Sequence, residues 1–166
     1  MSDAVPTVDP VQLRRALGRF ATGVLVVTTR WGDRVHGMTA NSFTSVSLTP
    51  PLVLICVDRR AAMRQALQES GHYGLSVLSR EQQHLSRHFS ARNGPEREVA
   101  FEDLGGVPVI AGALAQFSCR ITLPLDAGDH LIFVGEVTAH HHNEGDPLLY
   151  FGGGYSYLQQ PQPERA

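Results

Sequence analysis

Residues 36–51 concentrate side chains that form neutral hydrogen bonds. Hydroxyl residues surround Asn41, and the segment ends at Pro50-Pro51, directly before the apolar run 52–57. Each hydroxyl both donates and accepts, and an asparagine amide does both in a fixed plane. Such a segment suits a ligand that has a heteroaromatic ring edge and a phosphate. Clusters of this composition are also typical of ordinary loops, so the pattern alone leaves both interpretations open.

A second candidate is the tripeptide Gly128-Asp129-His130, which precedes the apolar run 131–134 and Gly135-Glu136-Val137. Gly and Asp are common turn residues, and a histidine after them can be an ordinary surface side chain. The tripeptide is either a simple turn or a loop that presents His130 to a ligand.

A third candidate is the segment 150–155, where Tyr150 and Tyr155 flank a phenylalanine and three glycines. Aromatic rings beside glycines can cover a flat ligand while the backbone approaches it closely. The alternative is the end of a strand that continues into a flexible tail.

Other catalytic motifs are missing from the sequence. There is no G-x-G-x-x-G turn, no P-loop and no G-x-S-x-G elbow. His140-His141-His142 suggests a metal site, but neighbouring strand residues point to opposite faces. Surface histidines are the favoured interpretation, and we predict no metal site.

Composition limits the classes of protein that remain. The 166 residues fit one domain, 42% of them are hydrophobic, and the formal net charge is −2. Without a basic face, nucleic acid is not an expected partner. The sequence shows no signal peptide and no apolar run long enough to span a membrane, so we expect a cytoplasmic protein. Cys56 and Cys119 lie in apolar runs and are expected to be free buried thiols.

The elements that must position these residues are mostly strands. Strands are predicted at 24–29, 34–39, 52–57, 73–78, 113–123 and 130–142, with a last strand at 148–151. Helices are predicted from Pro10, capped by Asp9, to about Phe20, and at 61–70 and 81–89. Residues 90–106 are expected to form an exposed connection. Many adjacent strands and few helices favour a closed antiparallel barrel.

The three candidate segments, in this order, resemble the short-chain flavin reductases, which are reductase components of two-component flavin-dependent monooxygenases. The resemblance runs from Val11 to about Tyr157 and implies a mainly β, antiparallel Greek-key split barrel, the FMN-binding split barrel, with a few short flanking helices. It implies one domain over residues 9–158, between a flexible N-terminus (1–8) and a disordered tail (159–166). The family is normally homodimeric.

The resemblance also implies site residues. Those assigned to the flavin are Met38, Thr39, Ala40, Asn41, Ser42, Ser45, Val46, Ser47, Cys56, Val57, Asp58, Phe89 and Ser90. Gly128, Asp129 and His130 match the nicotinamide-cofactor motif, and His130 is the candidate catalytic residue, which positions the nicotinamide or its ribose. Tyr150 and Tyr155 are secondary candidates.

One departure from the family concerns the flavin phosphate. Many relatives have a Ser/Thr-rich turn after the strand that ends at Val57, whereas this chain has Asp58-Arg59-Arg60. Arg59 or Arg60 can supply the phosphate partner, because a guanidinium matches phosphate geometry. The alternative is that both are solvated residues at a helix start.

The function implied is an NAD(P)H:flavin oxidoreductase. It would transfer a hydride from NADH or NADPH to FMN or FAD and supply the reduced flavin, by diffusion, to a partner monooxygenase. Alternatives on the same fold are a flavin-binding carrier without activity and an oxidase that acts on a phosphate-bearing cofactor.

Overall fold

The structure, a computed structural model, describes residues 8–90 and 98–159. Its helices are α1 (Pro10–Leu17), α2 (Ala62–Ser70) and α3 (Gln83–Ser90), and a 3₁₀ turn at Arg80–Gln82 leads into α3. The Asp9 side chain accepts a hydrogen bond from the Val11 amide at 2.8 Å, so the predicted cap of α1 is confirmed. The helix ends at Leu17, three residues before the predicted end.

The strands within the described ranges form three sheets. They are β1 (Thr22–Gly23), β2 (Leu25–Trp31), β3 (Arg34–Ala40), β4 (Thr44–Leu48), β5 (Pro51–Asp58), β6 (His72–Val77), β7 (Phe101–Leu104), β8 (Val107–Ile110), β9 (Ala115–Ala127), β10 (His130–His142), β11 (Leu149–Phe151) and β12 (Gly154–Ser156).

The main sheet has seven antiparallel strands in the order β3-β2-β6-β9-β10-β5-β4. Its two edge strands, β3 and β4, are connected in the chain by residues 41–43 only. This short link brings the edges together, so the sheet closes as a barrel that is split between β3 and the β4–β5 hairpin. The predicted mainly antiparallel β fold with a few short helices is confirmed.

Alternation along β5 shows where the core lies. Val53, Ile55 and Val57 are buried in the barrel, while the residues between them are only partly buried. The same core contains Tyr73 of β6 and Phe133 of β10. A second apolar cluster lies between the barrel, α3 and the β11–β12 hairpin.

Four sequence predictions need correction. Residues 44–48 form β4 rather than a loop, β9 continues through Pro124 to Ala127, and the predicted exposed connection, 90–106, contains β7, which pairs with β8 just beyond it. The strand at 149–151 is not the last, because β12 pairs back onto it. Both unpredicted hairpins use a Gly-Gly turn with positive φ at each glycine, at 105–106 and 152–153. That turn suits the twist of paired strands.

Most of the predicted flexible ends, residues 1–7 and 160–166, lie outside the described residues, as does part of the predicted connection, 91–97. Among the described helices, none combines the length and the apolar character that a bilayer crossing requires.

Candidate functional site

A groove of about 670 Å³ opens where the barrel is split. We call it the split groove. One wall is His36-Gly37-Met38 of β3, the other is the segment 60–63, and Phe89-Ser90 of α3 lies beside them. In the described chain β3 pairs only with β2, so its other edge has free backbone groups. The volume is within the range of about 300–1,000 Å³ that is typical of small-molecule sites.

The first turn of α2 gives one end of the split groove an anion-binding character. Ala61 is the N-cap residue, and no side chain caps the helix. Uncapped amides at a helix N-terminus favour a negatively charged group. The Arg60 side chain lies at the same end and is largely exposed, with its guanidinium paired to Asp58 at 2.9 Å.

Gly37 has no side chain because the Phe89 ring occupies that space. A Cβ built on Gly37 would lie 2.5 Å from Phe89 Cδ1. The close approach of α3 to β3 therefore depends on this glycine, and it places the ring against the floor of the split groove.

A second groove, of about 310 Å³, continues from the first at Ser90. We call it the tyrosine groove. Its lining residues are Val24, Thr39, Ala40, Asn41, Ser86, Ser90, Tyr150 and Tyr155. Tyr150 and Tyr155 are cross-strand partners in an edge-to-face arrangement, and the Tyr155 hydroxyl is 2.8 Å from the Ser86 hydroxyl. The two tyrosines thus form a fixed wall.

Several hydroxyls of the 36–51 segment have partners within the protein. Thr39 Oγ1 donates to the Ser86 carbonyl at 2.7 Å. Ser42 Oγ donates to the Cys56 carbonyl and accepts from the Cys56 amide. Ser47 Oγ accepts from the Thr49 amide. These hydroxyls are thus used within the protein: Thr39 ties β3 to α3, Ser42 ties residues 41–43 to β5, and Ser47 bonds locally. The β3 backbone is therefore the main source of free hydrogen-bonding groups.

The Gly128-Asp129 pair forms the turn between β9 and β10. Gly128 has a φ of +64°, which favours glycine at this position. His130 is the first residue of β10, and its Nδ1 lies 2.7 Å from Asp129 Oδ1. The ring therefore has a fixed direction and a second nitrogen available to a ligand.

The end of β5 connects the Gly128-Asp129-His130 turn to the split groove. His130 is the register partner of Asp58, and Arg60 extends from the same point into the split groove. The Arg60 hydrogen bonds hold the pKa of Asp58 well below its usual range, and the charge of a protonated His130 acts in the same direction. Asp58 is thus an ionised carboxylate between the split groove and His130.

Not every predicted residue lies in a groove. Ser45, Val46, Ser47 and Cys56 belong to the β4–β5 hairpin and line neither groove, and the Val57 side chain is fully buried in the core. The predicted residues Ser42, Asp58, Arg59, Gly128, Asp129 and His130 also lie outside the lining of both grooves. Cys56 and Cys119 are both free thiols, but only Cys119 is buried as predicted, whereas Cys56 is partly buried because its side chain lies on the outer face of β5. Within the described ranges no cluster of side chains could hold a metal ion, and His141 hydrogen-bonds to Asn143.

Sequence reasoning missed three groups of lining residues. His36 and Gly37 lie in the 36–51 segment, but the sequence assigns them no role. The backbone amides of residues 61–63 cannot be recognised from residue type. Ser86 lies within a predicted helix, where a serine does not stand out. The alternation of β3 is the one signal that could have identified Gly37, because Gly37 and Thr39 share the face toward α3.

The fold and these grooves define a small split-barrel protein with a partly open ligand site at the split. The model of the flavin reductase-like domain matches residues 17–159. The chain therefore belongs to the flavin reductase-like domain family, and the predicted family is confirmed.

Two relatives illustrate the similarity. An NADH-dependent flavin reductase from a Rhodococcus species is 46% identical over 93% of this chain and 89% of its own length. The reductase component of 4-hydroxyphenylacetate 3-monooxygenase from Thermus thermophilus is 41% identical over 89% of this chain and 96% of its own.

Solved structures agree with the sequence comparison. The flavin reductase PheA2 superposes with a TM-score of 0.90 at 48% identity, over 92% of this chain and all of the other. The Streptomyces globisporus NADH:FAD oxidoreductase SgcE6, solved in complex with NAD and FAD fragments, gives a TM-score of 0.83 at 42% identity. That match covers 98% of this chain and all of the other.

Proposed function

We propose that this protein is an NADH-dependent flavin reductase that supplies reduced FMN or FAD to a partner monooxygenase. The observation that carries the proposal is the end of β5, where Asp58 pairs in register with His130 while Arg60, two residues later, lines the split groove opposite residues 36–38. Relatives at 41–46% identity are named as an NADH-dependent flavin reductase and as a monooxygenase reductase component.

The residues present fit a flavin. The flat ring system would lie along the free edge of β3, where backbone groups match its ring-edge nitrogens and oxygens. The phosphate would lie at the uncapped α2 N-terminus, beside Arg60. His130 would hold the nicotinamide or its ribose from the β10 side.

Bound nicotinamide and flavin would supply the chemistry, a hydride transfer from nicotinamide C4 to flavin N5 that leaves the nicotinamide oxidised. The contribution of the protein is to hold the two reacting atoms about 3–3.5 Å apart and aligned. Hydrogen-bond donors along β3 stabilise the negative charge that the reduced ring acquires. His130 orients its ligand and is not assigned an acid–base role.

The first test is an absorbance assay of NADH oxidation with and without free FMN or FAD. We expect oxidation to rise sharply on addition of a flavin. In parallel, fluorescence of Trp31, the single tryptophan, reports flavin binding, because its ring lies edge-to-face with His36 of the split groove at 5.9 Å. Flavin binding without stimulated oxidation of NADH or NADPH would support the carrier alternative and overturn the reductase proposal.

Replacing Arg60 with alanine tests the phosphate position. We expect the Kd for FMN to rise roughly three- to tenfold, since an exposed charge-assisted hydrogen bond is lost. Riboflavin, which has the same ring but no phosphate, should bind the variant and the parent equally. Both Kd values can be measured by Trp31 quenching. An equal loss for riboflavin would place Arg60 at the ring instead.

The exposed apolar residues support a homodimer. Helix α1 buries none of its residues, and Leu17, Phe20, Leu48 and Leu123 are all exposed in the single chain. Large apolar side chains that a single chain leaves exposed are candidates for burial in a protein interface. We expect light scattering after size exclusion to give twice the chain mass of 18.1 kDa, or about 36 kDa. A mass of one chain at micromolar concentration would contradict the dimer.

A further inference from the structure

We propose that Arg59 is a positioning residue for His130: it fixes the Gly128-Asp129 turn and so determines how His130 meets the nicotinamide. The inference rests on the proposed function. It gives the two neighbouring arginines different roles: Arg60 serves the flavin side of β5 and Arg59 serves the nicotinamide side.

Arg59 contacts the turn at three points. Its Nε donates to the Gly128 carbonyl at 2.7 Å, and its Nη2 pairs with Asp126 Oδ1 at 2.5 Å. Its backbone amide donates to the Asp129 carbonyl at 3.0 Å. Side chain and backbone therefore hold both turn residues and Asp126 of β9, which lies two residues before Gly128.

The contacts act on geometry more than on stability. Asp126 is largely exposed and Arg59 partly so, and exposed ion pairs contribute little to the free energy of unfolding. The planar guanidinium, however, engages two acceptors in a fixed arrangement. The Gly128 carbonyl directly precedes Asp129, which holds His130 Nδ1. Arg59 is thus connected to the imidazole through one peptide unit and one side chain.

The same contacts direct Arg59 away from the split groove. Two of its donor nitrogens are used at the turn, and the residue does not line the groove, whereas Arg60 does. A phosphate at the α2 N-terminus would meet Arg60 first.

The test compares steady-state kinetics of Arg59→Ala, Arg59→Lys and the parent. We expect Arg59→Ala to raise the KM for NADH roughly three- to tenfold, because the turn must then be ordered on binding. The KM for FMN should stay within about twofold. Arg59→Lys should raise the KM for NADH less than Arg59→Ala does, since lysine keeps the positive charge but lacks the planar guanidinium that engages two acceptors. Arg120→Ala, which removes a similar exposed ion pair with Glu136, is the control and should behave as the parent.

A double-mutant cycle with His130→Ala tests whether Arg59 acts through His130. In the His130→Ala background, Arg59→Ala should change the KM for NADH little further. Additive effects, or a loss confined to FMN, would overturn the positioning role. If His130→Ala itself leaves the KM for NADH unchanged, the His130 role in the proposed function fails. If His130→Ala raises the KM for NADH but Arg59→Ala leaves it unchanged, the positioning role of Arg59 fails and the proposed function stands.

Discussion

Replacing Gly135 with alanine is expected to lower the free energy of unfolding by about 3 kcal/mol, the upper part of the range for overpacked cores. A Cβ at this position would lie 2.7 Å from Tyr73 Cζ and closer still to the hydroxyl. Tyr73 is completely buried at the centre of the barrel and cannot move aside without displacing its neighbours. For a chain of this size the loss corresponds to about 6–12 °C in Tm.

The Tyr73 hydroxyl explains why this contact is sensitive. Among the described residues it has no hydrogen-bond partner of normal geometry, and burial raises its pKa. Burial also raises the pKa of the Cys119 thiol, its register partner on β9, to about 12. Both groups therefore stay neutral. The Tyr73 side chain gains nothing by moving toward solvent, so its ring remains packed against Gly135.

Urea unfolding followed by Trp31 fluorescence measures the effect. Gly154→Ala is the matched control, because its φ is not positive and nothing lies within 4 Å of a Cβ there. Tyr73→Phe should restore part of the stability of Gly135→Ala by removing the atom in closest contact. Equal stability of Gly135→Ala and Gly154→Ala would show that the core accommodates the methyl group.

Replacing His130 with alanine is expected to raise the KM for NADH about tenfold or more, which corresponds to one lost hydrogen bond of about 1.5 kcal/mol. The KM for FMN should change much less, because the flavin is placed on the other side of β5. The His130 side chain is 42% exposed and contributes little to the core, so Tm should stay close to that of the parent.

His140→Ala is the matched control, since it removes an exposed histidine near the opposite end of the same strand. It should leave both KM values unchanged. A His130→Ala variant that loses affinity for FMN alone would show that the Gly128-Asp129-His130 turn faces the flavin and not the nicotinamide.

The sequence predicted the barrel strands from local patterns. The β-branched run at 24–29, the apolar run at 52–57 and the predicted strand at 130–142 correspond to β2, β5 and β10, and Asp9 predicted the start of α1. Short strands were missed where composition is polar. In β4 and β7 pairing with a neighbouring strand outweighs the local preference, which no single segment reveals.

Family membership could also be read from the sequence, because the three motifs occur in the right order, and the comparisons confirm it. The role of each individual residue within a motif could not be predicted from the sequence. Thr39 and Ser42 look alike in the sequence as hydroxyl donors, yet both hydroxyls are used within the protein, Thr39 toward α3 and Ser42 toward β5.

Arg59 and Arg60 show most clearly what only the tertiary structure decided. As adjacent residues of one type they are equivalent in the sequence. The backbone at the end of β5 directs one to a turn nearly seventy residues later and leaves the other at the groove. The strand and motif patterns depend on local spacing, which the sequence contains. The side of the barrel that each side chain meets depends on which distant strand pairs beside it, and that is decided only when the sheet closes.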